Sequence, residues 1–177
     1  FWYLFLEQEF VYVGDAGIVE PSGKTERKGI DLSLQYQPLS WLYGNLDATY
    51  AFARSLEEPE GNDFIPLAPD FTLTGGLNAN LPSGIYSGIS MRHLSARPAN
   101  EDNSIVAEGY TVFDFNLGYE LQKWHFGINI QNLFDTEWNE TQFATESRLS
   151  FETEAVEEIH FTPGTPFFLR GIVTYFF

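Results

Sequence analysis

The chain has 177 residues, a formal net charge of −16 and no cysteine. So large a surplus of carboxylates leaves nothing to neutralise phosphates, which excludes nucleic acid as a partner, and without thiols there is neither a disulfide framework nor thiolate chemistry. Aromatic residues make up 17% of the chain, yet mean hydropathy is −0.18 and no apolar run approaches the ~20 residues of a membrane helix, so the apolar residues are dispersed in the way alternating strands disperse them.

The chain begins at Phe1, without Met or a signal peptide, directly inside a strand pattern, and reads as a fragment or a processed chain. Residues 1–13 (FWYLFLEQEFVYV) are expected to form one strand, with Trp2, Leu4, Leu6, Phe10 and Tyr12 on one face and Glu7 and Glu9 on the other. After a polar stretch, Ile30, Leu32, Leu34 and Tyr36 alternate with Asp31, Ser33, Gln35 and Gln37. A short break at Pro38–Ser40 leads to Leu42, Leu46, Ala48, Tyr50 and Phe52, alternating with Tyr43, Asn45, Asp47 and Thr49. Beyond the acidic loop SLEEPEGND, Phe71, Leu73, Leu77, Ala79 and Leu81 alternate with Thr72, Thr74, Asn78 and Asn80. Pro82, Ser83 and Gly84 suit a tight turn, and Ile85, Ile89 and Met91 then share a face with Ser87 and His93. The loop SARPANEDNSIVAEG precedes a clear strand in which Phe113, Phe115, Leu117, Tyr119 and Leu121 alternate with Asp114, Asn116, Gly118 and Glu120. A turn at Gln122-Lys123 returns the chain to Trp124, Phe126, Ile128 and Ile130, alternating with His125, Gly127, Asn129 and Gln131. An acid-rich loop over 135–163 is followed by the aromatic strand GTPFFLRGIVTYFF at the end.

Two regularities follow. Connections alternate long and short, which in an up-and-down antiparallel sheet gathers the long loops at one end and the tight turns at the other. The carboxylates within strands (Glu7, Glu9, Asp31, Asp47, Asp70, Asp114, Glu120) all fall opposite the apolar face. Alternation in segments of about ten residues with this loop asymmetry is the pattern of a transmembrane β-barrel. Tyr36, Tyr119, Trp124, Tyr175 and Phe177 gather at the short-turn end of the apolar face and Phe52, Phe71, Phe113 and Phe167 toward the other, as two girdles around an aliphatic band.

Enzymatic and metal sites fit less well. His93 and Ser95 share a strand face, but i,i+2 neighbours stand about 6.5–7 Å apart, too far for a serine to be activated. His125 reads as a solvated residue on the polar face. Asp135, Glu137, Asn139, Thr141 and Glu146 echo a calcium loop, but Glu140 stands where that loop needs glycine, so no metal and no cofactor is assigned.

The segments FVYVGDAG (10–17), KGIDLSLQYQP (28–38), IPLAPDFTLTGGL (65–77), GYTVFDFNLGYEL (109–121) and INIQNLFDTEW (128–138), with the terminal aromatic strand, resemble the C-terminal part of TonB-dependent outer-membrane receptors. The NLFD run is the most specific of these. The resemblance implies an all-β fold in which residues 1–177 supply about eight strands, the C-terminal third of a 22-stranded barrel, with the plug domain and TonB box lying outside the chain. It also implies a non-enzymatic receptor in the outer membrane of a Gram-negative bacterium, taking up a scarce, bulky nutrient such as a ferric siderophore, a cobalamin or a glycan. Its partners would be outer-membrane lipid, the TonB complex and the barrel-assembly machinery, which reads an alternating terminal signal matched here by Val173, Tyr175 and Phe177. Trp138, Phe143, Arg148 and His160 are the expected ligand contacts in the outer loops, because aromatics and a bidentate guanidinium suit sugar or siderophore recognition.

Two alternatives make different demands. A complete eight-stranded barrel with a structural or adhesive role would hold the inward carboxylates in a lumen only wide enough for side chains, with Arg92 and Arg170 as the inward cations. A soluble lectin-like sandwich would have to bury both aromatic girdles in one core.

Overall fold

A computed structural model describes residues 1–13, 18–21 and 23–177. Eight strands form one antiparallel sheet: β1 (Trp2–Leu6), β4 (Thr25–Leu39), β5 (Leu42–Ser55), β6 (Phe71–Asn80), β7 (Ile85–Leu94), β10 (Tyr110–Glu120), β11 (Trp124–Gln131) and β14 (Phe168–Tyr175), in that spatial order. Three separate hairpins complete the chain: β2 (Phe10–Val13) with β3 (Ile18–Pro21), β8 (Arg97–Pro98) with β9 (Val106–Ala107), and β12 (Asn139–Ser147) with β13 (Val156–Pro163). Because neighbours in the large sheet follow one another in sequence, all four long connections lie at one end and the turns at 40–41, 81–84 and 121–123 at the other. Gly84, at φ +89°, takes the left-handed position of its turn, and Leu81 N–H donates to Ile85 C=O at 2.8 Å across it.

The register fixes the faces. Rows of paired residues run across the sheet, such as Leu34, Leu46 and Gly75, or Leu117, Ile128 and Gly171, so the apolar residues of β4 to β14 form one continuous surface. Leu32, Leu34, Ile128 and Val173 on it are 56%, 53%, 41% and 64% exposed, leaving this face of the sheet uncovered. Asp31, Asp47, Asp114 and Glu120 lie on the opposite face, where Thr49 Oγ1 donates to Asp31 at 3.0 Å and Ser33 Oγ to Asp47 at 2.6 Å. The aromatic row at the short-turn end is contiguous, with ring centroids 4.7 Å apart for Trp124–Tyr175 and 5.1 Å for Tyr175–Phe177.

β1 and β14 are the two ends of the sheet order and are not paired with each other, which removes the closed eight-stranded barrel as a description of this chain. Four further expectations change. Residues 1–13 are not one strand: the chain breaks at 7–9, β1 pairs with β4, and β2 turns into its own hairpin. The register Tyr3↔Lys28 and Phe5↔Glu26 then places Tyr3 and Phe5 on the apolar face, and Trp2, Leu4 and Leu6 beside Gly29, Arg27 and Thr25 on the polar one, the reverse of the alternation reading. FWYLFL is apolar on both faces, so only the neighbouring strand decides its phase. Trp2 is accommodated because it lies over Gly29, where a Cβ would overlap the indole. The side chain of Tyr12 and residues 14–17 of the GDAG run lie outside the described residues.

Secondly, β4 begins at Thr25 and runs through Pro38 to Leu39, with its register shift between Tyr36 and Leu39 absorbing the proline that cannot donate to the ladder. Thirdly, Arg27 joins Arg92 and Arg170 on the polar face and is bonded to Glu9, which also accepts from Thr25 Oγ1 at 2.6 Å. Finally, the segments 95–109 and 135–163 are not structureless loops but contain β8–β9 and β12–β13.

Candidate functional site

Most of what the chain buries lies at the long-loop end. Thr25, Ala53, Ile65, Arg97, Ala99, Asn100, Ala107, Val112, Asn132 and Gln142 are all below a tenth exposed. Polar residues make half of this list, and amide side chains organise it.

Asn132 opens the NLFD run at φ +49° and is 2% exposed. Its Nδ2 donates to Thr136 C=O at 2.8 Å and Thr165 C=O at 3.0 Å, its Oδ1 accepts from Thr136 N–H at 2.9 Å, and its own N–H donates to Asp114 at 2.9 Å. Leu133 N–H donates to Phe113 C=O at 2.7 Å, the Phe134 ring meets Phe113 edge-on at 5.2 Å, and Asp135 accepts from Phe167 N–H at 2.9 Å. Four residues thus tie the ends of β10 and β11 to the start of the terminal strand. Asn and Asp tolerate the left-handed conformation and bond locally, which accounts for their place in the motif.

Gln142, 3% exposed, holds the β12–β13 hairpin to the neighbouring loop: its amide accepts from Glu108 N–H at 2.9 Å and donates to Glu108 C=O at 2.8 Å. Asn100 Nδ2 adds a bond to Glu157 at 3.3 Å. Within the 95–109 loop the amide and hydroxyl of Ser104 both donate to Asp102, holding that carboxyl below its ordinary value.

The four expected ligand contacts separate into three places. Phe143 and His160 are register partners on β12–β13, with stacked rings 6.3 Å apart, and His160 Nε2 lies 3.1 Å from Ser147 Oγ. Trp138 is at the base of the hairpin, tilted against Tyr110 at 4.7 Å, with the Arg92 guanidinium 5.4 Å over its ring and its Nε1 donating to Thr165 C=O at 3.1 Å. Arg148 is exposed just beyond β12. Trp138 therefore joins the polar face, through Arg92, to the loop layer, while Phe143 and His160 sit farther out.

The other candidate residues are engaged as packing. Tyr86 lies across Gly118 toward Gly127 and bonds His125, and a Cβ at Gly118 would overlap its ring. His93 Nδ1 meets Thr111 Oγ1 at 2.8 Å, while Ser95 Oγ accepts from Phe71 N–H at 3.1 Å, so the two residues have different partners. Asn139, Thr141 and Glu146 of the calcium-like spacing lie along strand β12 rather than around a loop. Val173 and Phe177 are exposed, and Tyr175 packs on Trp124. Sequence reasoning missed Asn132 as a hub, Gln142 as a tether, and Arg54, whose guanidinium is 4.2 Å from both the Phe52 and Phe64 rings and 3.3 Å from Asp63. Nothing in the alternation of their neighbours marks these three residues.

An open antiparallel sheet with one apolar face, one polar face and an ordered loop layer at one end defines a segment of a barrel wall. Solved structures place that segment. The chain superimposes on the ferric yersiniabactin uptake receptor FyuA from Yersinia pestis with a TM-score of 0.68 and 15% identity, covering 90% of this chain and 25% of that one. The siderophore receptor PiuA from Acinetobacter baumannii gives 0.70 and 14%, over 98% and 25%, and the ferric-catecholate import receptor Fiu from E. coli K12 gives 0.64 and 21%, over 88% and 21%. The chain spans about a quarter or less of their length. The family model for the TonB dependent receptor-like beta-barrel matches residues 5–133. The chain belongs to this TonB-dependent receptor family, one of receptors and transporters rather than enzymes.

Proposed function

We propose that the chain forms part of the wall and outer loops of a receptor in a Gram-negative outer membrane, which takes up a scarce, bulky nutrient using energy delivered through TonB. The apolar face would meet lipid and the polar face a wet lumen. Among ferric siderophores, cobalamins and glycans, the names of the three solved relatives favour a metal chelate. The observation that carries the reading is the Tyr110–Trp138–Arg92 cluster, which joins the loop layer to the polar face. An acidic solute can there exchange contacts with an indole and a guanidinium without leaving the wall.

The test is deletion of residues 139–158 from the full-length receptor, followed by uptake of a labelled ferric siderophore. Uptake falls to background while the receptor reaches the membrane in normal amount. Transport at the wild-type rate would place ligand recognition elsewhere. The terminal residues Val173, Tyr175 and Phe177 are proposed to present the free edge that the barrel-assembly machinery reads. Removing Phe177 then lowers the amount of receptor in the outer membrane, and unchanged abundance on a quantitative blot would refute that role.

A further inference from the structure

A cavity of about 210 Å³ lies between the segments 56–70 and 95–109, shares no lining residue with the Trp138 cluster, and is lined by Ala53, Arg54, Phe64, Asp70, Arg97 and Asn103 among others. We propose that it binds a small oxyanion, a carboxylate or a phosphate group, with Arg97 as the principal ligand and Arg54 beside it.

The walls are built rather than incidental. Leu67 N–H donates to Pro98 C=O at 2.8 Å and Phe64 N–H to Glu101 C=O at 3.1 Å, so the two segments are joined through their main chains. Ser95 N–H donates to Phe71 C=O at 3.0 Å below them. Ile65, Ala99 and Ala107, at 6%, 6% and 0% exposure, fill the space around the joint.

Arg97 is the feature this packing does not explain. It is 7% exposed, its Nη1 is buried without a hydrogen-bond partner, and no carboxylate comes within 4 Å of its guanidinium among the described residues. The chain has 25 acidic residues against nine lysines and arginines, so this is not for want of carboxylates. Two other arginines are matched, Arg27 with Glu9 and Arg54 with Asp63. A cation withdrawn from water without a counter-charge is strongly disfavoured, and burial pushes the Arg97 guanidinium below its ordinary value. An incoming anion supplies the missing charge.

The chemistry selects the ligand class. Guanidinium presents a planar fork of N–H donors that fits two oxygens of a carboxylate or phosphate, and the Arg54 guanidinium is positioned by the Phe52 and Phe64 rings, each 4.2 Å away. The cavity is smaller than the ~300–1,000 Å³ of drug-sized ligand sites, so it admits a small acid rather than a whole metal chelate. Asp70 on the wall and Asp63, already 3.3 Å from Arg54, oppose an anion and set the affinity below what two arginines alone would give. The site does not depend on the uptake reading: a receptor that imports nothing tested can still hold the anion.

The experiment is calorimetric titration of the detergent-purified full-length receptor with citrate and, separately, with inorganic phosphate, at ionic strength held constant with chloride. At least one oxyanion binds, and comparison of the two titrations distinguishes carboxylate from phosphate. Arg97→Met weakens that binding by about tenfold or more, Arg97→Lys by less, and Asp70→Asn tightens it several-fold. Absence of any heat beyond that of chloride overturns the proposal, as does binding unchanged in Arg97→Met. If Arg97→Met does not fold, Asp70→Asn decides: weaker or unaltered binding in that variant is also contrary to the assignment.

Discussion

Halfway along β4, Leu32 and Leu34 are more than half exposed, and the apolar face they belong to continues across the sheet through Leu46, Leu117 and Ile128 without anything covering it. At the long-loop end of the same molecule, Ala107, Val112, Asn132 and Gln142 are between 0% and 3% exposed. The sheet has satisfied backbone ladders and an uncovered apolar face. The loop layer has a small core built from alanines, amide side chains and main-chain bonds. A wall of this kind is stable only where a second apolar phase wets it, whereas the loop layer supplies its own interior and can face water. Between neighbouring strands the ladder pairs the backbone groups, as a bilayer requires, and only the outer edges of β1 and β14 stay open. The loops instead rely on Asn and Gln side chains, which suits a surface that must fix particular groups in place.

The largest effect that would break this comparison is on the wall. Leu117→Arg, in the middle of the apolar face, is expected to cost about 2–4 kcal/mol of stability in lipid vesicles. Asn116→Arg, one residue away on the polar face, is expected to cost well under half of that. Equal costs in a denaturant titration of the two folded receptors would mean that the faces are not distinct.

The next effect sharpens the loop side. Asn132→Ala leaves Thr136 N–H and C=O without their partner and Thr165 C=O with Trp138 Nε1 alone, for about 1–3 kcal/mol. Gln142→Ala unpairs only the two main-chain groups of Glu108 and is expected at the lower end of that range. Hydrogen exchange separates them: Asn132→Ala loosens the starts of both β12 and β14, while Gln142→Ala loosens β12–β13 alone. A uniform loss of protection across the sheet in either variant would contradict local tethering.

How much of this was legible in the sequence differs between the same two regions. From Ile30 to Gln131 a period of two, interrupted by Pro and Gly at the turns, was enough to give strand order, loop asymmetry and faces. The phase of β1 was not legible, since Phe1 to Leu6 are apolar at every position and the break at 7–9 severs them from the pattern that follows. The loop layer was legible only as the NLFD resemblance. What Asn132 does there depends on Asp114, Thr136 and Thr165 meeting in space. Likewise Trp138 looked like a free loop aromatic, although Tyr110, Arg92 and Thr165 fix it at the base of the hairpin.

β1 offers the most direct test, because Leu4 and Phe5 are 43% and 45% exposed in the isolated sheet and only a membrane would tell them apart. This chain contains no cysteine, so once any cysteine elsewhere in the full-length receptor is replaced by serine, single substitutions report cleanly. Leu4→Cys, Phe5→Cys, Asn116→Cys and Leu117→Cys, each in the full-length receptor in outer-membrane preparations, are to be challenged with a charged, water-soluble maleimide. The account predicts rapid modification at positions 4 and 116 and protection at 5 and 117, lifted when the membrane is dissolved and the receptor unfolded. Equal labelling at 116 and 117 would contradict the wall itself, and rapid labelling at 5 with protection at 4 would contradict the register that places β1 in it.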